Sequence, residues 1–110
     1  MPFIDTKLNV RLSEEKEAVL KRRLGEAIAT FPGKNEYWLM LNFTDNCRMW
    51  FRGYSQFPVA MVRIELFGSA DEATCNAMTK AVCDIFHEEL DISPEHIYVE
   101  YAFTDRWGWN

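Results

Sequence analysis

The stretch "PVAMVRIELFGS", Pro58 to Ser69, decides the fold. Ala60, Val62, Ile64 and Leu66 alternate with Val59, Met61, Arg63 and Glu65, the period of two that sends alternate side chains to opposite faces of a strand. One face is oily and the other mixed. The same frame stands near the start as "PFIDTKLNVRLS", Pro2 to Ser13, where Ile4, Thr6, Leu8 and Val10 oppose Phe3, Asp5, Lys7 and Asn9. Each stretch opens on a proline and reaches a serine 11 residues later, and each half closes on "FTD", at 43–45 and 103–105. We read an internal duplication, 2–45 and 58–105, inside a single domain covering 1–110.

Between these strands the period changes to that of a helix. Residues 14–31 set Val19, Leu20, Leu24, Ala27, Ile28 and Phe31 on one stripe, with Ser13 as N-cap and Pro32-Gly33 as the stop. Residues 70–90 set Cys75, Met78, Val82, Ile85, Phe86 and Leu90 on another, and Ser69 with Glu72 predicts a capping box. Further strands are expected at 36–43 and 96–103, with "RMWF", 48–51, pairing as a hairpin across "TDNC". The order is β-α-β, twice. Right-handed crossovers place both helices on the oily face of one four-stranded mixed sheet. The mixed face, with Lys7, Asn9, Arg63 and Glu65, is left to water or to another subunit.

Composition narrows the function classes. A chain of 110 residues with 48% apolar and 26% charged residues is of ordinary globular make-up. The net charge of −5 and a single basic run, Lys21 to Arg23, on a helix face argue against nucleic acid. Three cysteines, Cys47, Cys75 and Cys83, suit reduced thiols and a cytoplasmic location better than a disulfide framework. Neither a secretion leader nor a membrane-spanning run is expected. Cys83 and His87 share the i, i+4 spacing of metal ligands, but two ligands do not make a site, and we expect no metal and no cofactor.

Pro2 is a candidate for chemistry. Once Met1 is removed, its ring nitrogen becomes a secondary amine, a base titrating near pH ~8, whereas an amide nitrogen has no basicity to offer. Together with the two β-α-β units and the closing "WGWN", the pieces "MPFI", "GKNEYW", "PVAMVRIELFG" and "ISPEHIYVEY" resemble the tautomerase superfamily. The branch is that of macrophage migration inhibitory factor and phenylpyruvate tautomerase-like proteins, and the resemblance covers nearly the whole chain.

That resemblance implies a homotrimer around a central channel, with active sites between neighbouring subunits. It implies Pro2 as the acid/base and Lys34 as the anchor for a substrate carboxylate, with Tyr98 supplied by the adjacent subunit and the Phe67 backbone amide at the substrate. Trp107 and Trp109 then form an apolar wall or seal a subunit interface. The implied reaction is keto-enol tautomerisation of an arylpyruvate-like 2-keto acid. The alternative is a cytokine-like protein that binds a receptor and uses no such chemistry. A third reading, proline-based dehalogenation or decarboxylation, needs further groups, for which Arg52, Arg106 and Glu100 are the candidates. Two departures from the family stand out. Glu100 replaces an asparagine at the substrate end, and Val59 to Val62 replace a C-x-x-C redox motif, which argues against oxidoreductase activity.

Overall fold

The computed structural model describes residues 1–110. Strand β1 (Pro2–Leu8) leads into helix α1 (Glu14–Ala27) and strand β2 (Met40–Thr44); β3 (Ala60–Phe67) leads into α2 (Glu72–Leu90) and β4 (Ile97–Thr104). The four strands form one sheet in the order β2-β1-β3-β4. β1 runs parallel to β2 and β3 parallel to β4, while β1 and β3 meet antiparallel at the centre.

The alternation read from the two proline-led stretches is the alternation of burial. Ile4, Thr6 and Leu8 of β1 and Ala60, Val62, Ile64 and Leu66 of β3 are all buried. They share one core with Leu20, Leu24 and Ile28 from the first helical segment and Met78, Val82, Ile85 and Phe86 of α2, so both helices cover this face. Fully burying one such Leu or Phe contributes about 1.5–3 kcal/mol. Arg23 clips the helices together from outside the core, bonding Glu88 at 2.8 Å and Glu89 at 2.9 Å.

The opposite face carries cross-strand rows set by the register. Asn42, Asp5, Arg63 and Glu100 form one row, and Thr44, Lys7, Met61 and Tyr98 the next. Asp5 accepts from Asn42 at 2.8 Å and from Lys7 at 3.0 Å, and the Asn42 bond leads the interactions that hold its carboxyl below the usual range. No element of this chain covers these rows.

Four local expectations are corrected. Helix α1 ends at Ala27 and tightens into a 3-10 turn, Ile28–Thr30, because Phe31 precedes Pro32 and takes extended backbone. Helix α2 is capped by Asp71, whose carboxylate accepts the Thr74 N–H at 2.8 Å, so Ser69 and Glu72 form no capping box. The segment 36–38 is a 3-10 turn instead of strand, because the Asn35 side chain takes the Tyr37 N–H at 3.0 Å. The hairpin expected across "TDNC" is absent. In its place Phe51 and Tyr54 exchange backbone bonds around Arg52-Gly53, both at positive φ, which is the geometry of a two-residue hairpin turn.

Candidate active site

The site begins where β1 begins. A proline has no N–H to give to a ladder, so the first position of a strand suits it, and Pro2 is buried there opposite Leu66. Just before it, the Met1 carbonyl accepts the Phe67 N–H at 3.1 Å. This pins the head of the chain to the last residue of β3. With Met1 attached, the Pro2 nitrogen is an amide.

Around Pro2 opens a cavity of about 430 Å³, lined by Met1, Pro2, Trp38, Trp107 and Trp109, with Tyr37, Leu39 and Met40 at its side. Trp38 and Trp109 meet edge to face, their centroids 4.8 Å apart, and Tyr37 packs edge-on against Trp38 at 5.0 Å. Such pairs contribute beyond the area they bury, and here they join the segment after α1 to the chain's end.

Lys34 is placed by a turn. Gly33 takes a positive φ, the Lys34 N–H bonds the Phe31 carbonyl at 3.1 Å, and the Lys34 ammonium donates to the Phe67 carbonyl at 2.9 Å. Phe67 therefore meets both groups through its backbone: its N–H holds Met1 and its C=O holds Lys34. Lys34 forms no ion pair within the chain, which leaves its charge available to an anion.

The electrostatics of this corner are visible on the Met1 amine, one residue from the Pro2 nitrogen. Its pKa lies below the ordinary value of 8.0, first because burial disfavours the ammonium and then because the Lys34 charge repels it. An amine here is neutral at lower pH than one in water.

The structure thus gathers Pro2, Lys34, Phe67, Trp107 and Trp109 at one end of the sheet. It does not bring Tyr98 or Glu100 to them within the same chain. Tyr98 stands opposite Met61 and Pro2 opposite Leu66, five residues apart along β3, or about 17 Å. Tyr98 is exposed and lines a separate recess with Trp50, Phe51 and His96, its ring 5.2 Å from that of Phe51. Glu100 faces the open side of the sheet beside Arg63. Arg52 sits at the tip of the 51–54 turn and Arg106 is exposed beside Asp105; neither lines the cavity. His87 Nδ1 lies 3.2 Å from the Ile92 carbonyl, and burial pushes the Cys83 thiol pKa up. Sequence reasoning missed Trp38 and Tyr37 as cavity walls. The signal was "NEYW", in which Asn35 begins a turn that brings the two rings over the end of the sheet.

Comparison with known proteins bears on the family and the fold. Residues 1–109 match the profile of the macrophage migration inhibitory factor (MIF) family. The macrophage migration inhibitory factor of Meriones unguiculatus is 28% identical over 112 residues, covering 100% of this chain and 96% of its own. Among solved structures, Leishmania major MIF2 superposes with a TM-score of 0.92 at 34% identity, over 100% of this chain and 94% of that one. The macrophage migration inhibitory factor of Toxoplasma gondii shares the fold at a TM-score of 0.89 and 19% identity, over 97% of this chain and 95% of its own.

Proposed function

The chain belongs to the macrophage migration inhibitory factor family, a branch of the tautomerase superfamily, and we propose that it is a keto-enol tautomerase acting on an arylpyruvate-like 2-keto acid. The observation that carries the reading is the buried proline at the head of β1. It faces an aromatic cavity, with an ammonium free of ion pairs held beside the head of the chain, where burial and that ammonium lower the pKa of the Met1 amine.

Removal of Met1 does two things at once in this reading. It turns the Pro2 amide into an amine, and it frees the Phe67 N–H from the Met1 carbonyl to which it now donates. The Pro2 nitrogen takes the enol hydroxyl proton and returns a proton to the adjacent carbon as the carbonyl forms, so the amine ends as it began. The Lys34 ammonium exchanges the Phe67 carbonyl for the substrate carboxylate, a stronger, charge-assisted partner. Trp38, Trp107 and Trp109 hold the aryl ring. Tyr98 joins from a neighbouring copy in a homotrimer, since its own chain holds it at the far end of β3.

The test is an intact-mass measurement on protein purified from cells, paired with a phenylpyruvate enol-keto assay of the wild type and Pro2→Ala. We expect Met1 to be absent and turnover to fall at least about 100-fold in the variant, the lower range of what a positioned general base contributes. A wild type that lacks Met1 and yet shows no turnover of phenylpyruvate means that Glu100 has redirected the substrate or that the fold serves binding alone.

A further inference from the structure

Gly25 lies buried in the last turn of α1, where glycine weakens a helix relative to alanine. The space beside it is taken by Glu36. A Cβ at position 25 would stand 2.6 Å from Glu36 Cδ and 3.0 Å from Cγ, with Oε2 closer still. The same carboxylate lies 3.4 Å from the Lys21 ammonium, one turn earlier on that face of the helix. Glu36 thus reaches from the 3-10 turn to α1 and rests in a notch that only a residue without a side chain leaves open.

The turn itself is a weak device. It spans three residues, and Tyr37 within it is 84% exposed. Its own ties are the Asn35 side chain on the Tyr37 N–H at 3.0 Å, the Asn35 carbonyl on the Trp38 N–H at 3.3 Å and the Glu36 carbonyl on the Leu39 N–H at 3.1 Å. Yet Glu36 stands two residues after Lys34 and two before Trp38, the ammonium and the indole at the cavity. A tether at this point fixes both.

We propose that Glu36 is a positioning residue, seated in the Gly25 notch and held by Lys21, that fixes Lys34 and Trp38 at the substrate cavity. Only the kinetic readout of this proposal rests on the tautomerase reading; the seat itself stands on geometry. Glu36 does not line the cavity and takes no part in the proton transfer. Its loss therefore acts on substrate binding through Lys34 and leaves the Pro2 amine in place.

The decisive variant is Gly25→Ala in protein shown by mass to lack Met1. Alanine favours the helix, so the melting temperature stays level or rises, while its methyl expels the Glu36 carboxylate. KM for phenylpyruvate then rises about tenfold, as when a charge-assisted hydrogen bond is weakened, with kcat within about twofold of wild type. Glu36→Ala gives the same split, and Glu36→Gln, which keeps the shape, restores most of the affinity. The double variant Gly25→Ala/Glu36→Ala is no worse than Glu36→Ala alone, because nothing remains to be expelled. An unchanged KM in Gly25→Ala, or additive effects in the double variant, overturns the proposal. If the wild type shows no turnover, the tautomerase reading falls, and amide exchange over residues 34–39 decides the seat. Faster exchange in Gly25→Ala supports it, and equal exchange overturns it.

Discussion

In the proposed mechanism Lys34 has two separable roles at the head of β1, as a charge that repels an ammonium and as an anchor for an anion. The first sets a pH dependence. In that mechanism a neutral Pro2 amine is the active base, so kcat/KM is expected to rise with pH along a limb whose midpoint lies below the ordinary α-amine value of 8.0. The burial and the Lys34 charge that lower the pKa of the Met1 amine act on its neighbour as well. Lys34→Ala removes the repulsion and leaves the burial. Its limb moves upward toward 8.0 without reaching it, and KM rises about tenfold from loss of the anchor. A pH profile of kcat/KM on the two proteins separates the effects, and an unmoved limb sets aside the electrostatic role. At this scale the gathering of Pro2, Lys34, Trp107 and Trp109 at one end of the sheet was legible, because each lies in a short motif near a chain end or a turn. Trp38 was not: its place depends on the Asn35 side chain winning the Tyr37 N–H from the strand ladder, a local competition that periodicity does not register.

Elements were read well where one pattern spoke and poorly where two competed. The alternation in β1 and β3 has a single solution, since a slip by one residue would expose Ile4, Leu8, Val62 and Ile64 together. The start of α2 offered two caps within three residues. Ser69 follows Gly68, whose φ is +101°, and the chain turns there before Asp71 reaches extended backbone and accepts from Thr74. Asp71→Ala therefore lowers the urea midpoint and the melting temperature by the amount typical of a lost N-cap, while Ser69→Ala leaves both unchanged. The effect is pH-dependent with a definite sign. The Thr74 side chain first and its backbone N–H second hold the Asp71 pKa below 3.8, so the cap contributes fully above that value and is lost as pH falls through the lower folded pKa. Denaturation curves of the two variants at neutral pH and near pH ~3 test both statements, and a midpoint lowered at neutral pH by Ser69→Ala but not by Asp71→Ala would return the cap to Ser69.

At the scale of the molecule, the sheet leaves one question that no single chain answers. Its open face shows Arg63 and Glu100 beside Asp5, Met40 at 68% exposure and Tyr98 at 61%, a surface with enough apolar area to meet a second copy. The two groups proposed to act together, Pro2 and Tyr98, stand at opposite ends of β3, and β3 is a rigid central strand that no side-chain rotation shortens. A site using both must be built between chains, by a head-to-tail contact that closes into a ring. The proposed trimer supplies that contact, and complementation examines it directly. Pro2→Ala and Tyr98→Ala are each impaired as homo-oligomers. Unfolded, mixed in equal amounts and refolded together, they form sites that draw Pro2 from one chain and Tyr98 from the next. Random assembly makes both intact at about a quarter of the sites, so activity recovers to about that fraction of wild type. Recovery requires a shared site, because no chain in the mixture carries both residues. A mixture no more active than the average of its parents, in particles whose mass shows that they contain both chains, would mean that Tyr98 serves the packing of its own recess with Phe51 and His96.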